Sequence, residues 1–544
     1  MKKISELINI HKFLFLSFFA IFFLIYFLYY HTSSFDFIYL DDGSLIANKT
    51  DRMDSLSKIK NFILEPVFDE NASKFYRPVL NLSFLIDTVI CGGESGFYHF
   101  SNVLMHIAAV FLLLLLLREL KCHDMFALAA CLLFAAHPAL TSAVAWIPGR
   151  NDLLLAIFTF PAMIFFIRSL KTKKTRDFLL SAVFFILALL TKETAVVIPV
   201  IFASYVFFYD KIKQLDKKSA AGIAAAVAVP ILIYIVFRFI TLSQSSSELN
   251  ALGMITRAIN SSAVNIWYFG IIFLTEKIVL FPQMDLHAEN LIRGFIPLLL
   301  LSGACVVFKK NINFKHIFFG LVWFALFMLP TYAMAANIYY THRLYMPAAG
   351  IIIILLEIIS AVYKTYPKTK TAMFAGFAII LIFMSVTAYK QSLYYEDRKS
   401  FWFKAYEEKP SSSRVNLGMS KYYFDINDYD KSEEFAFNAV NNARSRNASI
   451  LTSQLGLIYF KKNELDKAEE FYKKALAASK YYEHSYTGLS SVYESKGDMG
   501  KAVAIINEGL SIMPNSIILK KYKSDLLENN KTNQQIIIMK YNKK

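Results

Sequence analysis

HFSNVLMHIAAVFLLLLLL, residues 99–117, is a run of nineteen residues without one Asp, Glu, Lys or Arg. A helix of about 20 apolar residues crosses the hydrocarbon core of a bilayer, and this run ends on Arg118 and Lys121, as an inserted helix would. Similar runs recur outward from it, near 13–30, 125–141, 153–168, 178–191, 194–209, 219–240, 294–308, 316–331, 345–363 and 371–389. The sequence therefore predicts an all-α, polytopic bundle of about eleven spans. The composition agrees. Of 544 residues, 56% are hydrophobic and 18% charged, where a soluble domain holds roughly 45–50% and about 25%. This excludes an ordinary soluble enzyme, a disordered chain and a fibrous one.

The net charge of +16 reads as membrane topology, not nucleic-acid binding, because the cations alternate between loops. One alternate set carries Lys2, Lys3 and Lys12; Arg118 and Lys121; Arg168, Lys171, Lys173, Lys174 and Arg176; Lys211, Lys213, Lys217 and Lys218; Lys309, Lys310 and Lys315; and Lys364, Lys368 and Lys370. The opposite short loops hold about one cation each, Arg150, Lys192 and Arg343. The first set is expected in the cytoplasm. The first span ends on bulky Phe27-Leu28-Tyr29-Tyr30, not a small-residue cleavage site, and reads as a retained anchor. Segment 262–282 is apolar but contains Glu276 and Lys277. It reads as an interfacial or re-entrant helix, which leaves the tail on the outer face. Cys91, Cys122, Cys131 and Cys305 have no metal-ligand or disulfide spacing and read as inert thiols.

Residues 1–395 thus form the membrane domain, with an outer loop at 31–98; 396–412 reads as a linker, and 517–544 as a helix and polar tail. Between them, a period of about 34 appears. Leu455-Gly456, Tyr459, Ala468, Tyr472 and Ala475 are followed by Leu489-Ser490, Tyr493, Ala502, Ile506, Gly509 and Pro514. A weaker earlier copy has Tyr423, Ala436 and Ala439. This is the tetratricopeptide alternation of large and small residues, about three repeats over 413–516, and such a solenoid offers a concave face to a protein partner.

Charges in the outer turns need a reason, because ionisable groups at membrane depth are costly. Asp41-Asp42 is either a solvated turn before Gly43 or a general base or cation ligand. Arg77, in Tyr76-Arg77-Pro78, either snorkels to lipid headgroups or grips a phosphate with its planar fork. His137-Pro138 and Pro148-Gly149-Arg150-Asn151-Asp152 bracket an irregular segment, with Arg150 and Asp152 placed to pair with each other. Lys192-Glu193 reads as an ion pair in a tight hairpin or as a lysine for a lipid phosphate. His342-Arg343-Leu344-Tyr345 begins another outer helix. No Walker, GxGxxG, HExxH or GxSxG sequence occurs, and no inverted repeat with broken helices suggests a transporter.

In order, the chain has Asp-Asp after the first span, Tyr-Arg-Pro, then Tyr98-His99-Phe100-Ser101-Asn102 with His106. His-Pro, Gly-Arg-x-Asp, Lys-Glu and Arg-Leu-Tyr-x-Pro follow, before the repeats. The set resembles the transmembrane and tetratricopeptide repeat O-mannosyltransferases, within the wider GT-C glycosyltransferases. The resemblance implies that one of Asp41 and Asp42 is the general base for an acceptor hydroxyl. It implies that Arg77, Arg150, Lys192 and Arg343 contact the donor's lipid phosphate or hold the loops, supported by His137, Asp152, Glu193, His342 and Tyr345. The donor would be a polyprenyl-phosphate sugar, with mannose as the sugar and inversion at the anomeric carbon. The acceptor would be a protein or peptide hydroxyl, gathered by the repeats. The scheme requires no cofactor, and a divalent cation, if used, would sit at Asp41/Asp42. Leu140 and Ser142 stand where that family tends to have His and Glu, and His342 replaces its acidic residue. Two other classes remain open from the residues: transfer to a glycolipid or envelope glycan, and a non-enzymatic scaffold that displays the repeats. Abundant Lys, Asn and Ile point to a bacterium, hence a cytoplasmic membrane with periplasmic repeats; in a eukaryote the membrane would be that of the endoplasmic reticulum.

Overall fold

The structure, a computed structural model, describes all residues except 1, 54, 69–74, 210, 213–214, 243–263, 276–279, 281–287, 333–339, 444–447, 517 and 529–544. The described residues are helical, without a strand, and fall into two compact units, Met1–Ser400 and Phe401–Lys544.

The first unit contains α1 (Lys2–Tyr29), α2 (Pro78–Cys91), α3 (Ser95–Glu119), α4 (Asp124–Ala135), α5 (Arg150–Thr172), α6 (Thr175–Thr191) and α7 (Ile198–Phe208). After these come α8 (Lys217–Leu242), α9 (Val264–Phe273), α10 (Ala288–Val307), α11 (Phe314–Tyr332), α12 (Tyr345–Thr365) and α13 (Lys370–Ser392). Each of the eleven apolar runs holds a helix. By length and composition six described helices suffice to cross a membrane, or seven if one bent pair counts as a single span. That pair corrects the run 125–141. It is not one straight helix: α4 ends at Ala135, and the chain turns by 57° into Pro138–Ala145. Pro138 has no N–H to continue the ladder, and His137 Nδ1 accepts from Ala139 N at 3.2 Å instead. In segment 262–282, α9 has ten residues, about 15 Å of helix and too short to span; Glu276 and Lys277 lie outside the described residues.

Ion pairs gather the basic loops at one end of the bundle. Glu119 binds both Arg168 and Lys171, Lys173 binds Asp216, and Asn311 donates to Thr365. The turns carrying Asp41, Arg77, Arg150, Lys192 and Arg343 occupy the other end. Between the ends, helices pack through a continuous apolar core. α11 and α12 approach closely because Gly320 and Gly350 face each other: a Cβ on either would strike the other's carbonyl oxygen. Exposed Leu232 and Phe239 on α8, and Ile379 and Ile382 on α13, are the surfaces a lipid phase would cover.

In the second unit, α15 (Ser413–Asp425), α16 (Tyr429–Asn441), α17 (Ala448–Lys461), α18 (Leu465–Ala478), α19 (Glu483–Ser495) and α20 (Met499–Ile512) form three helical pairs. Asn427, Asn463 and Gly497 take positive φ at the same turn of each pair, the conformation Asn and Gly adopt most readily. Small residues face large ones, as the spacing predicted: Gly456 and Gly488 lie against the Tyr472 ring, and Gly509 against Tyr486. The expected linker 396–412 is instead largely helical, α14 (Arg398–Glu408). Its Phe401, Trp402 and Ala405 are buried, and Trp402 covers Gly418. Lys404 among these three residues, with Arg398, Lys399, Glu407 and Glu408 around them, hides the apolar stripe in the sequence.

Candidate functional site

The chain leaves α1 and turns sharply at Tyr39, whose φ is 55°. The Asp42 carboxylate holds this turn. Its Oδ2 accepts the amides of Ile38 at 2.7 Å and Tyr39 at 3.2 Å, and its Oδ1 that of Leu40 at 2.8 Å. Asp42 is 1% exposed. Burial pushes its carboxyl up to about 6, while the amides pull the other way. Asp41 is half-buried on the same turn. The two neighbours thus have different environments: Asp42 is buried with its carboxylate held by backbone amides, and Asp41 is only half-buried. Among the described residues no group of three or more His, Cys, Asp or Glu is arranged to hold a metal. Leu45 and Ile46, just beyond, pack against Ile147, so this turn sits beside the segment that begins α5.

On that segment and its neighbours the charges cross-link the turns. Arg77 forms a two-pronged pair with Glu193, Nε–Oε2 3.0 Å and Nη2–Oε2 2.8 Å. Lys192 Nζ reaches Asp152 Oδ1 at 2.6 Å, both residues being buried. The expected Lys192–Glu193 pair is therefore not formed: adjacent residues in an extended hairpin point to opposite sides, and each finds a partner on another helix. Likewise Arg150 and Asp152 do not pair, because two positions apart on a helix they face different ways. Arg343 and His342 complete the group. Arg77, Lys192 and Arg343 lie within Coulombic reach of both Asp152 and His342. The Trp146 ring lies 5.2 Å from His342, and the Arg343 guanidinium 5.7 Å from the ring of Tyr340.

Three buried polar atoms in this group have no hydrogen-bond partner among the described residues: Arg343 Nη1, Trp146 Nε1 and Asp152 Oδ2. The large majority of buried side-chain polar atoms are paired, so two open donors and one open acceptor in one cluster suit a polar ligand. Among the described residues, three cations, Arg77, Lys192 and Arg343, stand against two carboxylates, Asp152 and Glu193, which leaves one positive charge over.

Arg150, expected among the phosphate contacts, is 0% exposed. Its Nε donates to Asn102 Oδ1 at 2.8 Å, Nη1 to Ser83 O at 3.3 Å and Nη2 to Tyr98 O at 2.9 Å, with Asp87 Oδ2 at 2.6 Å. Every nitrogen is filled, so Arg150 ties α2, α3 and α5 together and has no arm for a ligand. His137 is fixed as well: Nε2–H donates to Ile272 O at 2.8 Å. Tyr345 O–H donates to His106 Nδ1 at 2.7 Å, whose Nε2–H bonds Ala135 O at 3.1 Å. Both act as struts. Sequence reading missed Asp87 and left Trp146 without a role. A lone carboxylate inside the apolar run Phe84-Leu85-Ile86-Asp87 was the available signal.

A polytopic helical bundle with its charged turns at one end, followed by a tetratricopeptide solenoid, defines the class: a multi-pass membrane protein with a repeat tail. The chain is similar to the transmembrane and tetratricopeptide repeat O-mannosyltransferases. Residues 81–236 match the family described as dolichyl-phosphate-mannose-protein mannosyltransferase, and 453–482 and 483–516 match the tetratricopeptide repeat. The protein O-mannosyl-transferase Tmtc1 of Drosophila melanogaster is 33% identical over 171 residues, 31% of this chain and 20% of that protein. Human protein O-mannosyl-transferase TMTC2 is 32% identical over 199 residues, 34% of this chain and 24% of that protein. The matched stretches thus span about a fifth to a quarter of these relatives. Among solved structures, an Archaeoglobus fulgidus oligosaccharyltransferase aligns with 77% of this chain and 58% of its own, at 13% identity and a TM-score of 0.44.

Proposed function

We propose that this protein is a membrane glycosyltransferase that moves mannose from a polyprenyl-phosphate donor to a protein hydroxyl on the outer face of its membrane. One observation carries the reading: among the described residues, the cluster of Arg77, Lys192 and Arg343 retains one uncompensated positive charge and unfilled buried donors at Arg343 and Trp146. A phosphodiester linking sugar to lipid carries one negative charge and several acceptor oxygens, which matches both features. The names of the relatives support the same chemistry.

In this scheme Asp41 is the general base. The acceptor oxygen attacks the anomeric carbon as its proton passes to Asp41. The bond from that carbon to the phosphate oxygen breaks, and the lipid phosphate leaves into the cationic cluster. One displacement inverts the anomeric centre. Arg343 and Lys192 stabilise the charge that grows on the leaving phosphate. Trp146 N–H donates to the donor's polar head, and Asp152 holds Lys192 in place. Asp42 shapes the turn that presents Asp41. With the basic loops in the cytoplasm, this site faces the periplasm in a bacterium or the lumen of the endoplasmic reticulum in a eukaryote.

The test is transfer by the purified chain in nanodiscs, given polyprenyl-phosphate [³H]mannose with envelope or secretory proteins. Label in protein is expected. Label confined to lipid or glycan would move the acceptor to that class, and no transfer from any polyprenyl-linked sugar would overturn the enzyme reading.

A further inference from the structure

The turn that presents Asp41 takes an unfavourable backbone at Tyr39, whose φ of 55° lies in the left-handed region. A residue with a side chain stays there only where its surroundings impose it. The Tyr39 ring has two close neighbours. A Cβ on Gly43 would stand 3.2 Å from its Cδ1, so glycine there makes room for the ring. The Arg398 guanidinium lies 5.2 Å from the ring centroid. Arg398 comes from the far end of the first unit, where it opens α14. Its helical turn is itself fixed, because Asp397 Oδ1 accepts the Ser400 amide at 2.6 Å.

The residues that lead into the Asp41 turn are fastened to the same stretch of chain. His31 Nε2–H donates to Ser392 Oγ at 2.8 Å, whose own hydroxyl proton goes to Tyr389 O at 2.7 Å. The His31 and Tyr389 rings lie 4.4 Å apart. The Asp36 amide donates to Glu396 O at 2.8 Å. The start of α3 holds this segment as well: Ser95 Oγ donates to Phe35 O at 2.9 Å, and a Cβ on Gly96 would strike Ser33 O. The three amides on Asp42 close the turn on itself. The contacts with residues 389–398 fix it against the rest of the unit.

We propose that residues 389–398 are a strap that orients the Asp41 turn, with Arg398, acting through the Tyr39 ring, as a positioning residue for the general base. Asp41 follows Tyr39 by two positions, so the backbone direction imposed at Tyr39 is carried to it. The assignment rests on the reading of Asp41 as the base; the hold on the turn stands apart from transfer.

The experiment is Arg398→Ala in the full chain in nanodiscs. It is read by amide hydrogen exchange, by melting temperature and by steady-state transfer from polyprenyl-phosphate mannose to a short hydroxyl peptide. Exchange at the Ile38, Tyr39 and Leu40 amides is expected to quicken by about two- to five-fold, the worth of a partly exposed cation–π contact, at an unchanged melting temperature. kcat is expected to fall by about ten- to a hundred-fold, the scale of a misplaced reacting group, while KM for the donor stays the same. Tyr39→Ala should reproduce that loss and Tyr39→Phe, which keeps the ring, should retain the rate. Tyr39→Ala with Arg398→Ala should be no slower than either alone, since both remove one contact. Unchanged exchange, a kcat that falls only in proportion to folded protein, or additive losses in the double variant would overturn the proposal. Should the unaltered chain transfer nothing, the enzyme reading fails by itself, and the exchange rates still decide whether Arg398 holds the turn.

Discussion

Asp41 and Asp42 are adjacent and chemically alike, yet the fold treats them differently. Asp42→Ala would leave three backbone amides without their acceptor, at a cost of about 1–3 kcal/mol. It should lower the melting temperature and make the loop after α1 easier to cleave, with activity falling in proportion to folded protein. Lys192→Met should act differently again. Asp152, 2% exposed, would keep a buried charge without a partner, which costs about 3–5 kcal/mol. Adding Asp152→Leu should restore the melting temperature without restoring transfer, since the ammonium is still missing; recovery of transfer in that double variant would remove Lys192 from the leaving-group site. Arg343→Gln should fold normally and slow transfer by about 10²–10³-fold, the usual loss of one donor to developing charge. Charged residues in outer turns were legible because apolar neighbours make each conspicuous. Their partners were not: Arg77 meets Glu193 and Lys192 meets Asp152 across helices, at separations of 116 and 40 residues, which no local pattern encodes. Arg150 shows the same limit. Its residue type suits phosphate, and only the packed structure reveals Asp87, Asn102 and two carbonyls already filling it.

Among elements, α12 carries the site: the 3-10 turn that leads into it, Thr341–Leu344, holds His342 and Arg343, and Tyr345 is its first residue. Its position against α11 depends on the Gly320–Gly350 crossing. Gly350→Val would force the two backbones apart, an overpacking cost of about 1–3 kcal/mol. Because the helix turn bearing Arg343 would shift with it, transfer should fall more than the melting temperature suggests. A variant that inserts, melts normally and transfers at the full rate would show that this crossing does not position the site. Hydropathy located a helix in each of the eleven apolar runs, since burial in lipid or in the bundle both demand apolar residues. It did not reveal the break at His137-Pro138, where the apolar run continues straight through a change of direction. Nor did it find α14, whose three buried side chains are diluted by charges on its other faces.

The whole molecule divides its work between two compact units. The repeat period was legible because the same small-to-large fit recurs in each pair, Gly456 and Gly488 with Tyr472, Gly509 with Tyr486. Truncation after Ser400 should leave a membrane unit that still mannosylates a short hydroxyl peptide; loss of that transfer would mean that the repeats complete the site itself. The most direct measurement is mannosyl transfer by Asp41→Asn beside the unaltered protein, in nanodiscs, with melting curves for both. The account predicts a rate lower by about 10²–10⁴-fold, the span of a general base, with an unchanged melting temperature. Full-rate transfer by Asp41→Asn would contradict it.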